Sequence, residues 1–199
     1  MTTRPRVRVD ADASPREFQE AVAAMRSASL RPGVVCEEMA APQRIAPHAA
    51  ALIGDVVFDG EDLGTGRLVL LHDPAGNDAW EGTFRWVAYV RSDIDLEMAN
   101  DPLLGAVGWS WLTEALAAHH AGHHALSGTV TKVSSEPFGE MEDDESTAQL
   151  EIRASWTPEG EFARHVEAWA ELLCTASGLP PLPSGVTVLP SRREQRGIG

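Results

Sequence analysis

Apolar and polar residues alternate without interruption in the segment AQLEIRASWT, residues 148–157. Leu150, Ile152 and Trp156 point to one side of an extended chain, while Arg153 points to the other. This period of two is typical of a strand in an antiparallel sheet that has one buried face and one wet face. The chain must therefore supply both a partner strand for this segment and a cover for its apolar side.

Two β-hairpins are predicted from segments of this kind. GRLVLLHD, residues 66–73, is followed by the turn-forming sequence PAGND and then by TFRWVAYVR, residues 83–91, which alternates in the same way. LSGTVTKVSSE, residues 126–136, forms the second hairpin with residues 148–157 across an acidic loop. VVCEEM, residues 34–39, is predicted to add a weaker strand.

Three helices are predicted where a capping residue precedes a proline, because proline fits the first helical position. The first helix also carries Glu17 as a capping-box residue. The alanine-rich segment APHAAALIGDVV, residues 46–57, is predicted to be a further short helix. The three predicted helix starts are Ser14-Pro15, Asp101-Pro102 and Thr157-Pro158.

Hairpins and helices are segregated along the chain and do not alternate as βαβ units. This order predicts an α+β fold, in which an antiparallel sheet built from hairpins has helices packed on it. The 199 residues suit a single domain, which we place at residues 12–182. Residues 1–11 are predicted to be a flexible basic arm, and residues 183–199 a flexible tail that contains proline and arginine.

The chain is acidic, with a formal net charge of −14 at pH 7. Such a protein repels the phosphates of nucleic acids and of anionic lipids, so neither nucleic acid nor membrane is expected as a partner. No apolar run approaches the roughly 20 residues that span a bilayer. The first residues also lack the apolar centre of a signal peptide, so we expect a cytoplasmic protein.

The segment ALAAHHAGHHALSG contains four histidines. On a helix, His119 would share a face with His123. His120 would share a face with His124, so both pairs have the i, i+4 spacing of paired zinc ligands. No carboxylate follows at ligand spacing, however, and Gly122 interrupts the helix. We therefore interpret the segment as a helix end with Gly122 as its left-handed cap, and we assign no metal site.

The acidic loop, residues 136–145, holds six carboxylates and no basic residue. It lacks the ligand spacing and the internal glycine position of an EF-hand. We interpret it as a solvated hairpin tip, because like charges repel one another and stay exposed. The alternative is a metal-dependent enzyme that uses the histidine cluster and this acidic loop.

The helix predicted from Pro102 carries apolar residues over about 200° of its surface, which is wider than the usual stripe. One sheet face can hardly cover so broad an arc. The cover is either a neighbouring helix of the same chain or a partner surface, including a homodimer with this helix near the contact. The candidate partner-binding residues are Trp109, Gly105, Leu112, Leu116 and Trp80.

Common catalytic motifs are missing from the sequence. It contains no GxGxxG, P-loop, GxSxG, HExxH or paired CxxC pattern, so no catalytic or cofactor-binding residue is assigned and no cofactor is expected. Cys36 and Cys174 are expected to be ordinary reduced thiols without a disulfide. These features favour a non-enzymatic, acidic module of the adaptor or chaperone-like kind that acts through a protein partner.

Several long stretches resemble DUF3000, a family of unknown function found in actinobacteria. They include GRLVLLHDPAGNDAWEGTFRWVAYVRSDIDLEMANDPLLGAVGWSWLTEAL, LSGTVTKVSSEPFG, AQLEIRASWTP and HVEAWAELLCTASGLPPLP, and the resemblance covers residues 15–183. The family implies no activity and no catalytic residues. The element order is also similar to that of type III secretion chaperones and their cytosolic relatives, which are small acidic dimers. That similarity implies a protein-binding role.

Overall fold

The computed structural model describes residues 14–179. The predicted arm at residues 1–11 and the predicted tail at residues 183–199 lie outside the described residues. A short 3-10 turn, Gly139–Met141, lies within the acidic loop. The helices and strands, in chain order, are α1 (Arg16–Arg26), β1 (Val34–Met39), β2 (His48–Phe58), β3 (Glu61–Asn77), β4 (Gly82–Ile94), α2 (Leu96–Asn100), α3 (Leu104–Ala118), β5 (Gly122–Ser135), β6 (Thr147–Glu159) and α4 (Phe162–Ala176).

The six strands of this described region form one antiparallel sheet in the order β1-β2-β3-β4-β6-β5. β3 pairs with β4 and β5 pairs with β6, so both predicted hairpins are confirmed. The segment predicted as a weaker strand is β1, and it pairs with β2. Helices α1, α3 and α4 share one core with the sheet. The predicted α+β fold is therefore confirmed.

The prediction of a short helix at residues 46–57 is wrong, because most of this segment belongs to β2. β2 lies inside the sheet, with β1 on one side and β3 on the other. The helical propensity of its three successive alanines is weak beside two rows of ladder hydrogen bonds. Leu52 and Val56, which follow the alanines, are buried in the core.

The helix start predicted at Thr157-Pro158 is also wrong. β6 continues past this point, because Thr157 and Pro158 still pair with β5. The chain turns at Gly160, whose φ of +79° suits glycine. α4 then begins at Phe162. The Thr157-Pro158 pair, which has the sequence of a helix start, therefore lies at the end of strand β6.

The other two helix starts are displaced by one or two residues. α1 begins at Arg16, and α3 begins at Leu104. Asp101 instead ends the short helix α2, and its Oδ1 accepts a 2.8 Å hydrogen bond from the backbone N–H two residues later. Glu17 does not cap α1, and its Oε1 lies 3.1 Å from His72 Nε2 on β3. None of the helices between residues 14 and 179 has both the length and the apolar character needed to cross a lipid bilayer.

The main core lies between the sheet and the three long helices, and Trp169 of α4 is fully buried in it. The indole of Trp169 lies directly on the sheet at Gly54 and Gly66, which face each other on β2 and β3. A Cβ at Gly54 would lie 2.7 Å from Trp169 Cη2, and one at Gly66 would lie 3.0 Å from Cζ2. The two glycines therefore leave a depression in the sheet surface, which we call the trough, and the Trp169 ring packs into it.

The two cysteines differ in burial. Both thiols are free, but Cys174 is fully buried on α4 and Cys36 is half-buried on β1. Burial raises the pKa of Cys174 to about 11, so its reactive thiolate is scarce at neutral pH. We expect the native protein to react with one equivalent of DTNB and the unfolded protein to react with two. Two fast equivalents from the native protein would contradict the burial of Cys174.

Candidate functional site

The face of the sheet opposite the main core is covered at one end by a second apolar cluster. There Trp80, Met39 and Ala46 pack against Val69 and Leu71. Next to this cluster, the face forms an open concavity of about 720 Å³ across β3, β4, β6 and β5. We call this concavity the arginine groove. Its side-chain lining includes Arg67, Val69, Val87, Tyr89, Arg91, Ser127, Arg153 and Ser155.

The strand register brings the arginines of the groove together. Arg67 on β3 faces Tyr89 on β4, and Tyr89 in turn faces Arg153 on β6. These three side chains form one row across the sheet. Arg91 and Val87 lie two residues on either side of Tyr89, so they share its face of β4. Positive side chains from three strands therefore surround an apolar floor.

Glu151 neutralises one of these arginines and fixes the middle of the row. Arg153 Nη2 donates a 3.0 Å hydrogen bond to Glu151 Oε2, and the Arg153 guanidinium lies 5.3 Å from the centroid of the Tyr89 ring. The Tyr89 hydroxyl donates a 3.1 Å hydrogen bond to Glu151 Oε1. Burial, and then this contact with Glu151, raise the pKa of Tyr89. Tyr89 therefore stays a neutral hydroxyl.

Arg67 and Arg91 are not neutralised in this way. Within residues 14–179, no carboxylate lies within 4 Å of either guanidinium. Both residues are exposed. The groove thus presents two guanidinium groups that form no ion pair within residues 14–179, although Glu151 faces Arg91 in the register of β4 and β6, in a chain whose net charge is −14. A local excess of this kind attracts anions to the groove.

A further arginine lies buried beside the groove. Arg85 is only 7% exposed, and its partners are neutral oxygens. Nη1 donates to Thr157 Oγ1 at 3.1 Å, while Nη2 donates to Ser155 Oγ at 2.9 Å and to Ser127 Oγ at 3.4 Å. Burial lowers the pKa of Arg85, and the charge of Glu81 opposes that shift. A guanidinium nevertheless stays charged in proteins, so a buried cation lies behind the two serines.

Ser127 and Ser155 connect this buried cation to the groove. Arg85 occupies an acceptor position on each seryl oxygen, which directs each hydroxyl proton away from the guanidinium. Both serines line the groove, and their Oγ atoms lie 3.5 Å apart. Because one hydroxyl donates to the other in this contact, the pair leaves one hydroxyl donor for the groove, and a donor with a cation behind it suits the oxygen of an anionic group. The chemistry of the groove is therefore that of an anion-binding surface.

The four histidines do not share a helix, so the common helix face that paired zinc ligands at i and i+4 would need does not form. α3 ends at Ala118, and His120 takes the left-handed conformation, with a φ of +53°. The Ala121 N–H donates to Leu116 O at 2.9 Å, which closes the helix in a Schellman motif. The interpretation as a helix end is confirmed, but the left-handed residue is His120. Gly122 is instead the first residue of β5.

The histidine side chains have separate partners. His124 Nδ1 lies 2.8 Å from Glu159 Oε1, and its Nε2 lies 3.2 Å from Glu81 O. These two contacts raise the pKa of His124. His119 Nδ1 lies 3.6 Å from a carboxylate oxygen of Glu167 on α4. In the described part of the chain, no group of three or more His, Cys, Asp or Glu side chains could hold a metal ion.

The partner-binding candidates on α3 lie mostly against the chain itself. Leu112 and Leu116 are fully buried in the main core. Trp109 is half-buried, and a Cβ at Gly128 of β5 would lie 2.8 Å from its Cζ3. A Cβ at Gly105 would meet no atom within 4 Å. α3 packs along α4 as well as on the sheet, so a helix of the same chain covers much of its wide apolar arc.

The arginine groove was not predicted from the sequence. Its signal was present, because Arg85 and Arg91 lie on the polar side of one alternating segment and Arg153 on that of another. Trp80 is the one predicted partner-binding residue that borders the groove, through its contact with the cluster at Val69.

Comparison with known protein families adds one assignment. The family model described as "Protein of unknown function (DUF3000)" matches residues 14–187. The chain belongs to DUF3000. The match includes every residue described here, so the sheet, the helices and the arginine groove all lie within the DUF3000 region. No curated protein and no solved structure shows a significant match.

Proposed function

We propose that this DUF3000 protein is a non-enzymatic, cytoplasmic protein-binding module of the adaptor or chaperone-like kind. It receives an acidic, extended segment of a partner protein in the arginine groove. The observation that carries this proposal is the pair of unneutralised arginines, Arg67 and Arg91, on the concave face of an otherwise acidic protein.

The groove offers two kinds of contact in alternation. Arg67, Arg91 and one seryl hydroxyl backed by Arg85 provide donors for carboxylates, while Val87 and Val69 form an apolar floor. Val87 is 37% exposed, so it is available for contact. An extended segment points every second side chain into the groove, so a segment whose groove-facing side chains are acidic and apolar in turn matches this pattern.

The charge distribution favours a short acidic segment over nucleic acid. Electrostatic interactions are screened beyond about 8 Å at physiological ionic strength. A few carboxylates in the groove would therefore interact mainly with its arginines. A long polyphosphate would continue beyond the groove onto a surface whose net charge repels it.

The proposal is tested with a fluorescein-labelled peptide of the repeat Glu-Ser-Val-Ser, in which glutamate and valine share one face of the extended chain, and binding is followed by fluorescence anisotropy. We expect Arg67→Gln/Arg91→Gln to raise the dissociation constant at least about tenfold, because two charge-assisted contacts are lost. We also expect the wild-type affinity to fall as salt is added.

The matched control is Arg16→Gln/Arg26→Gln. It removes the same charge from α1, where Arg16 and Arg26 are exposed and paired with Glu20 and Glu38. This variant should bind the peptide as the wild type does. Equal weakening in both double variants would show non-specific attraction and would contradict the groove as the binding site.

A further inference from the structure

β5 is one of the two edge strands of the sheet. It is 14 residues long and pairs with β6 on one side, and no strand among residues 14–179 pairs with its other side. Residues 131–135 are all exposed. The outer edge of such a strand presents a row of unpaired backbone N–H and C=O groups, which is a template for another strand.

The usual protections of an edge strand are weak in β5. It contains no proline, and its one register irregularity lies at the start, between His124 and Ser127. Its one charged residue, Lys132, directs its ammonium group to Asp101 O at 2.9 Å. The opposite edge strand, β1, has only six residues and carries two adjacent glutamates. The two edges are therefore unequal, and β5 is the edge open to pairing.

We propose that two copies of this chain pair antiparallel along the outer edges of β5, around a twofold axis at Thr131. In this register Thr131 faces its own copy, Thr129 faces Val133, and Val130 faces Lys132. No like charges face each other, and small or β-branched residues meet across the axis. The result is one continuous sheet that runs through both copies.

The same register matches the two motifs that the groove leaves unexplained. The acidic loop, residues 136–145, leaves the end of β5 beyond Ser135. In the antiparallel pair it lies level with the start of the other β5, where His123 and His124 are located. Both ring nitrogens of His124 already contact Glu159 and Glu81, and His123 Nδ1 lies 2.9 Å from Ala121 O. Within the described residues, His123 Nε2 is therefore the ring nitrogen of this pair that is left to contact the acidic loop of the other copy.

Antiparallel pairing also separates the like charges of two acidic chains. The two acidic loops lie at opposite ends of the paired strands, about ten residues apart, which is about 34 Å in an extended strand. This distance is several times the screening length of about 8 Å. β5 itself is nearly neutral, so the contact joins the copies where their mutual repulsion is weak. These charges favour a second copy over an unrelated strand.

The pairing is tested by sedimentation of the full chain over a concentration series, with two variants that change the same two exposed positions. Thr129→Glu/Val133→Glu places like charges opposite each other twice and should raise the dimer dissociation constant about tenfold or more. Thr129→Glu/Val133→Lys places opposite charges in the same two pairs and should form a dimer. Circular dichroism checks that both variants stay folded.

The register is tested separately by cross-linking in a Cys36→Ser background. Thr131→Cys should form a disulfide-linked dimer on mild oxidation, because the residue faces its own copy. Thr129→Cys, one step along the same face, should cross-link far less. A wild-type chain that sediments as a monomer at all concentrations would overturn the proposal, as would a dimer that both charge variants leave unchanged. Neither result depends on the peptide that tests the groove.

Discussion

Gly54→Ala is expected to lower the free energy of unfolding by about 1–3 kcal/mol in the wild type, and by much less in a Trp169→Leu background. The new Cβ would lie 2.7 Å from Trp169 Cη2, which is too close for two carbon atoms. Trp169 is fully buried between α4 and the sheet, so the ring cannot move away from the new Cβ without disturbing the core. The smaller leucine removes the contact.

The measurement is a double-mutant cycle by urea denaturation. Trp169→Leu alone should cost about 3 kcal/mol, because a large buried side chain is cut down. The coupling between the two positions should exceed 1 kcal/mol in favour of the double variant. Gly105→Ala is the matched control. Its Cβ meets nothing within 4 Å and it lies on a helix, so this change should leave stability equal or slightly higher. If the losses of unfolding free energy caused by Gly54→Ala and Trp169→Leu were additive, direct contact between these two positions would be contradicted.

The second large effect concerns acid stability and depends on His165. This side chain is fully buried on α4, where its Nδ1 accepts a 3.0 Å hydrogen bond from Trp156 Nε1. Burial lowers the pKa of His165 to about 4, from 6.5 when unperturbed, and the nearby His123 adds to the shift. The hydrogen bond requires Nδ1 to be unprotonated, so the folded state holds His165 neutral.

The sign of the pH dependence follows from these two values. Between pH 6.5 and pH 4 the unfolded chain binds a proton at this histidine and the folded chain does not, so stability falls as the pH falls. We expect the contribution of His165 to make the protein about 2 kcal/mol less stable at pH 5 than at pH 7.5. Carboxylates titrate over part of the same range, so the histidine must be isolated by substitution.

His165→Gln isolates it, because an amide oxygen can accept the Trp156 hydrogen bond but gains no proton in this range. The variant should lose about 2 kcal/mol less than the wild type between the two pH values. Titration of the His165 ring by NMR gives the folded-state pKa directly. A ring that becomes protonated near pH 6.5 in the folded protein would contradict this assignment.

The sequence predicted the strands that carry a clear period of two and failed where another local signal competed with it. β4 and β6 were predicted because each alternates over nine or more residues. β2 was predicted as a helix because the alanines at its start mask the alternation, although its partner strands are its neighbours in the chain and Asp59-Gly60 alone separates β2 from β3. Thr157-Pro158 resembles a helix start, but its role is set by the pairing of β6 with β5.

The arginine groove shows a different limit. The sequence of a single strand shows which of its residues lie on the polar face. The row of side chains from Arg67 through Tyr89 to Arg153, however, exists only because β3, β4 and β6 are neighbours in the sheet. α3 and the whole of β5 intervene in the chain between β4 and β6. The neighbours of an arginine in a sheet are set by strand order and register, which are tertiary properties. The histidine cluster, by contrast, is visible in the sequence because its residues are adjacent, but the fold gives their side chains separate partners.

The placement of the tryptophans has an optical consequence. Trp86, Trp156 and Trp169 are fully buried. The indole N–H groups of Trp86 and Trp169 have no acceptor within the described residues. We therefore expect Trp86 and Trp169 to emit at short wavelength and to be little quenched by solutes. The half-buried indoles of α3 pack on the opposite face of the sheet, whereas Trp80 packs against the apolar cluster that borders the arginine groove at Val69. An occupant of the groove is therefore expected to change the fluorescence emission of Trp80. The emission of the buried Trp86 and Trp169 should stay constant and can serve as an internal reference.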